Sequence, residues 1–135
     1  MATVIKTETA RLLSEADVVD VRQRVRKHAV EYRFGLVDQT KLVTAASEIA
    51  RNTTKYGGVG SVKIEILEDG IRTGLRLIFE DRGPGIPDID LAMRDGFTTG
   101  HGMGLGLGGA KRLVNEFEID SKPGDGTRVV LTRWK

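Results

Sequence analysis

Glu48, Asn52 and Lys55 lie four and three residues apart. On a helix this spacing gathers a carboxylate, an amide and an ammonium within ~60° of arc. The apolar residues Leu42, Ala46, Ile49 and Thr53 form a stripe about 100° away. The polar trio thus runs beside a face made for burial. A carboxylate so placed can take a proton, an amide oxygen can ligate Mg²⁺, and an ammonium can neutralise phosphate. A solvated helix face accounts for the same trio when it is taken alone.

Three other segments carry chemistry. Glu80-Asp81-Arg82-Gly83-Pro84-Gly85-Ile86-Pro87 ends a strand-like run in a glycine turn. A carboxylate there can accept a hydrogen bond from the amino group of a base, and the glycines let backbone approach a ligand closely. A tight turn with an exposed Asp is the plain alternative. In Gly100-His-Gly-Met-Gly-Leu-Gly-Leu-Gly-Gly109 the glycines alternate and lead towards a helix. Backbone N–H groups of such a loop can cradle an anion. It has no G-K-[S/T] ending and no surrounding βαβ unit, so it is neither a Walker A loop nor a dinucleotide fingerprint. A mobile loop is the alternative, with His101 as a side chain of that loop rather than a metal ligand. Gly124-Asp-Gly-Thr127 by itself reads as a hairpin turn. Lys111 and Arg112 open the last helix, as surface charge or facing phosphates.

The elements that must hold these segments are legible from periodicity. Residues 3–9 form a short strand. Ser14 and Asp17 make a capping box before a helix of about 15–33, and Gly35 is its expected C′ residue. Asp38 caps a second helix, about 39–55. Val62, Ile64 and Ile66 alternate, Asp69-Gly70 turns, and Ile71, Thr73, Leu75, Leu77 and Phe79 return: a hairpin. A short helix near 88–95, a glycine loop over 96–106 and a helix over 107–116 follow. Two strands about the Pro123–Gly126 turn close the chain. Hairpins with grouped helices predict a two-layer α/β sandwich, helices on one sheet face.

The chain has 135 residues, no Cys and a net charge of +2. One domain over 1–135 is expected, with no repeat and no domain boundary. It needs no disulfide and has no Cys-based zinc site. There is no dense basic patch and aromatics are 5% of residues, so nucleic-acid binding is not expected. No apolar run reaches the ~18 residues of a membrane span, and the N-terminus lacks a signal-peptide core. A soluble, cytoplasmic protein is expected, with no membrane partner.

The four segments in this order, E-x-x-x-N, D-x-G-x-G-I, G-x-G-x-G-L-G-L and G-x-G-T, resemble the GHKL ATPase/kinase superfamily of gyrase, Hsp90, histidine kinases and MutL. VDQTKLVTAASEIARN, EDRGPGIPDI, DGFTTG and GLGGAKRLVNEF resemble its small serine/threonine kinases of sigma-factor regulation, in particular the stressosome switch kinases. The resemblance spans residues 48 to 127. It implies a Bergerat ATP-binding fold with a mixed sheet, and ATP with Mg²⁺ as cofactors. It implies Glu48 as general base, Asn52 as Mg²⁺ ligand, Lys55 on phosphate and Tyr56 beside the ribose and base. Asp81 would bind the adenine amino group, with Gly83, Gly85 and Ile86 shaping the pocket. Gly102, Gly104, Leu105 and Gly106 would form the ATP lid, and Thr127 would close the adenine side. The glycine loop is more regular here than in that branch.

The implied function is phosphoryl transfer to Ser or Thr of a STAS-domain stressosome protein, with a PP2C-type phosphatase as a second partner. The chain is expected to lack the histidine-bearing helix of a sensor kinase and the second domain of gyrase-type ATPases. An anti-sigma factor that phosphorylates an anti-anti-sigma protein shares the site, and a non-catalytic nucleotide-dependent module is the third reading.

Overall fold

The structure is a computed structural model, and it describes residues 2–56, 58–86, 89, 93 and 106–135. The elements are β1 (Thr3–Leu12), α1 (Glu15–Glu31), α2 (Leu36–Tyr56), β2 (Gly60–Asp69), β3 (Arg72–Asp81), α3 (Gly106–Arg112), β4 (Glu116–Ser121) and β5 (Thr127–Trp134). The expected helix near 88–95 and most of the glycine loop lie outside the described residues.

The five strands form one sheet in the order β1-β2-β3-β5-β4. All four described pairings are antiparallel, which corrects the expected mixed sheet. The reason is topological. β4 runs in the same direction as β3, but β5 returns from β4 and inserts between them. No parallel ladder forms among the described residues.

The β2–β3 hairpin stands as its alternation predicts: Val62 faces Phe79, Ile64 faces Leu77 and Ile66 faces Leu75. All six are at most 1% exposed. Ile71, expected on the same face, sits in the turn and is fully exposed, because Gly70 takes φ +61° there. Arg72 closes the turn onto Asp69 at 3.0 Å and holds that carboxyl below its ordinary range.

Ser14 caps α1, its hydroxyl accepting the Asp17 N–H at 3.4 Å. Asp17 in return accepts the Leu13 N–H at 2.9 Å, the largest of the contacts that lower its carboxyl's pKa. The helix stops at a different residue from the expected Gly35. Arg33 takes φ +62°, and its N–H donates to Val30 O while Phe34 N–H donates to Ala29 O. This is a Schellman ending with arginine in the left-handed position, held by burial of Phe34. α2 therefore starts earlier, at Leu36, and Asp38 lies in its first turn instead of capping it. The Asp38 carboxylate pairs with Arg133 of β5, tying helix to sheet.

α3 is shorter than the expected 107–116. Asn115 donates its N–H to Thr132 O and accepts the Trp134 N–H at its side-chain oxygen, so the chain has already joined the sheet. Lys111 and Arg112 accordingly close this helix rather than open it.

Val21, Val25 and Ala29 of α1 and Leu42, Ala46 and Ile49 of α2 share one core with Leu75, Leu77, Phe79 and Leu131 of the sheet. On the other side of the sheet Arg76 pairs with Glu65 at 2.6 Å. Trp134 lies flat over Gly74 with the Arg72 guanidinium 4.3 Å from its ring. No helix among the described residues is long and apolar enough to cross a membrane.

Candidate active site

The site is built where the second half of α2 meets the end of β3. Ala45, Ala46, Ile49, Ala50 and Thr53 are buried, which fixes the rotation of α2. Glu48 is then carried to the border of the core, 9% exposed, with Asn52 half-buried one turn on and Lys55 exposed. Tyr56 ends the helix.

Both oxygens of Glu48 are engaged. Oε1 accepts from Arg51 Nη1 at 3.1 Å, and Oε2 accepts the Gly106 N–H at 3.3 Å. Gly106 takes φ +70°, a conformation that suits glycine, and opens α3. One of the four expected loop positions is thus brought to Glu48; Gly102, Gly104 and Leu105 lie outside the described residues. Arg51 was not among the expected site residues. Its spacing from Ser47 and Glu48, four and three residues, is the signal that could have found it.

Gly60 joins the two halves of the site. Its Cβ, if present, would run into the Thr53 methyl group, so glycine lets α2 settle onto the strand end. Directly across the ladder from Gly60 is Asp81. Across from Asp81 on its other side is Thr127. The sheet register therefore sets Asp81 beside Thr127.

Two glycine turns are locked together over this strand end. Asp81 Oδ1 accepts the Gly83 N–H at 2.9 Å. Gly126, at φ +82°, lies so close to the Asp81 carbonyl that no side chain fits. Gly85, at φ +80°, lies equally close to the Lys122 carbonyl. Gly124 N–H donates to Pro84 O at 2.7 Å. The G-x-G-T segment is a hairpin turn that packs against the end of β3.

Ser121 is the second residue that sequence reasoning missed. Its Oγ accepts the Ile86 N–H at 2.8 Å, meets Thr127 Oγ1 at 2.8 Å and donates to Gly126 O at 3.1 Å. Its one proton goes to Gly126, so the proton shared with Thr127 is the threonine's. The Thr127 oxygen is left as an acceptor next to Asp81. The antiparallel register Ser121 to Thr127 was the available signal.

This donor set fits a nucleotide bound with Mg²⁺. Asn52 offers one neutral oxygen, and Mg²⁺ usually takes few protein oxygens and completes its shell with phosphates and water. Asp81 and Thr127 offer acceptors to an amino group.

The profile of the histidine kinase-, DNA gyrase B- and HSP90-like ATPase family matches residues 37–135, and the chain belongs to that family. It is 48% identical over 124 residues to the serine/threonine-protein kinase RsbT of Bacillus subtilis (strain 168), covering 92% of this chain and 93% of that one. It is an ATPase-family serine/threonine protein kinase. An anti-sigma F factor of Thermoanaerobacter sp. (strain X514) is 33% identical over 97 residues, 67% of this chain and 66% of that one. Among solved structures, the RsbU and RsbW domains of Rv1364c from Mycobacterium tuberculosis superpose with a TM-score of 0.68 at 22% identity. That match covers 96% of this chain and 33% of the other, and it supports the fold alone.

Proposed function

We propose that this kinase transfers the γ-phosphoryl group of ATP to a Ser or Thr hydroxyl of a STAS-domain stressosome protein. By the same reading it switches partners to activate a PP2C-type phosphatase, in the cytoplasm. The observation that carries the catalytic part is the stacking of Glu48 and Asn52 one helical turn apart at the core border, beside Gly106. The 48% identity to a serine/threonine-protein kinase supports the acceptor class.

In this reading Asp81 and Thr127 hold the adenine amino group, Ile86 lies along the base pocket with Gly83 and Gly85, and Tyr56 lines the ribose side. Asn52 would hold Mg²⁺, which when bound would neutralise charge on the phosphates, and Lys55 would add a cation there. By the resemblance, Gly102, Gly104, Leu105 and Gly106 would form the ATP lid. Glu48 accepts the proton of the acceptor hydroxyl as its oxygen bonds to the γ-phosphorus and the bond to ADP breaks. A carboxylate has about four lone-pair sites, so Arg51 and Gly106 leave Glu48 able to take that proton.

Glu48→Gln keeps the volume and removes the basicity. The expected result is retained Mg·ATP binding and phosphoryl transfer at least ~10²-fold slower. Asn52→Ala should lose Mg²⁺-dependent nucleotide affinity as well as turnover. Transfer by Glu48→Gln at the wild-type rate would exclude it as the base.

The likeness to an anti-sigma F factor favours a second reading, a kinase that also binds a sigma factor. Pull-down against a sigma factor and against a STAS scaffold separates the two. The presence of Glu48, Asn52 and Asp81 in the sequence argues against a purely binding module, and nucleotide titration with Mg²⁺ tests that third reading.

A further inference from the structure

Arg51 sits at the base without belonging to any of the four sequence segments as a site residue. Its guanidinium forks onto two groups of the preceding turn: Nη1 donates to Glu48 Oε1 at 3.1 Å and Nη2 donates to Ser47 Oγ at 3.1 Å. Ser47 and Glu48 are buried, whereas the Arg51 side chain is 43% exposed. The buried ends are therefore the fixed ones, and the arginine reaches back to them from the solvent side. Two anchors on one planar group restrict the carboxylate's rotation about its terminal bond. The Gly106 N–H engages the second oxygen at 3.3 Å. A carboxylate with a separate donor on each oxygen has little freedom to turn, and general-base catalysis depends on its orientation.

We infer that Arg51 is a positioning residue for phosphoryl transfer: it fixes the Glu48 carboxylate, through the shared anchor on Ser47, in the orientation from which it takes the hydroxyl proton. The inference rests on the reading of Glu48 as the base. Arg51 acts through Glu48 and touches neither nucleotide nor acceptor. Lysine, with one ammonium in place of a fork, can reach the carboxylate but cannot span both anchors in a fixed plane.

The test is steady-state transfer of ³²P from γ-labelled ATP to a purified STAS-domain protein that the wild type phosphorylates, with a double-mutant cycle. Arg51→Ala and Arg51→Gln should lower kcat by ~10–10²-fold, the cost of a misplaced catalytic group, with KM for ATP and Mg·ATP affinity unchanged. Arg51→Lys should recover part of the loss. Combined with Glu48→Gln, Arg51→Ala should slow transfer no further, because its effect passes through the missing carboxylate. Wild-type kcat in both Arg51→Ala and Arg51→Gln overturns the inference. So does a multiplicative further loss in the double mutant, or a rise in KM for ATP, either of which would put Arg51 on the nucleotide itself. Full activity of Glu48→Gln alone would mark failure of the underlying reading instead. Arg51→Gln keeps the aliphatic stem, and the same cycle built on Arg51→Gln with Glu48→Gln carries the test where the alanine variant fails to fold.

Discussion

Replacing Gly126 by alanine separates a site role from an ordinary turn role, because the same hairpin holds its own control. Gly124 and Gly126 have nearly the same φ, +87° and +82°. Around a Cβ on Gly124 nothing lies within 4 Å, whereas a Cβ on Gly126 overlaps the Asp81 carbonyl oxygen and crowds Arg82 Cα at 3.2 Å. Gly124→Ala therefore costs only the left-handed penalty, ~1–2 kcal/mol. Gly126→Ala costs that and an overpacking term of ~1–3 kcal/mol, because the obstacle is backbone rather than a side chain that can swing away.

The clash also has a direction. It pushes the Thr127 end of β5 away from Asp81, the pair that the register sets side by side. Denaturant unfolding of both variants should place Gly126→Ala about 2 kcal/mol below Gly124→Ala, roughly 5–8 °C in Tm for a chain of this size. Titration with Mg·ATP should show weakened binding for Gly126→Ala and wild-type binding for Gly124→Ala. Equal stability losses, or full ATP affinity in Gly126→Ala, would refute the account of this turn.

Two further outcomes are expected. Asp81→Asn keeps an oxygen for the Gly83 N–H but turns an amino donor towards the donor it should receive; calorimetry should show ATP affinity down by at least about 10²-fold, with the ~10⁴–10⁵-fold of a lost designed hydrogen bond as the upper bound. Glu8 accepts from buried His28 at 2.8 Å and from Arg24 at 2.9 Å, and chiefly the histidine bond holds its carboxyl below the ordinary range; Lys6 and Glu31 lie nearby, Glu31 3.7 Å from His28 Nδ1. A depressed carboxylate contributes stability above its unfolded value of about 4.3 and loses it as pH falls through the lower folded value. Glu8→Ala should thus cost about 1 kcal/mol at pH 7, a low figure because the side chain is partly screened by solvent, and the gap to wild type should close below about pH 4 in denaturant titrations.

Periodicity made both long helices and the β2–β3 hairpin legible, since each has one face in the core and the pattern of burial is written in residue type. The grouping of Glu48 with Asn52, and of Asp81 with the glycine turn, was legible for the same reason. What was not legible depends on contacts between distant segments. Arg33 in a left-handed conformation contradicts its local preference and is held there by Phe34, a burial that no local pattern announces. Ser121 looks like one more residue of an alternating strand until the register sets it against Thr127. Arg51 looks like a solvated cation until the rotation of α2 turns Ser47 and Glu48 inwards. The antiparallel sheet follows from where β5 inserts, a choice made by packing and not by the composition of β4 or β5.

The central claim is that this site moves phosphate onto a hydroxyl of a STAS-domain protein. The direct measurement is incubation of the purified chain with γ-labelled ATP, Mg²⁺ and candidate STAS-domain proteins, followed by acid and alkali treatment of the labelled product. The account predicts label on the partner that survives acid and is released by alkali, as a serine or threonine ester is, and that is missing with Glu48→Gln. Label that acid removes, as from phosphohistidine, or no label on any STAS-domain protein while ATP binds normally, would contradict it.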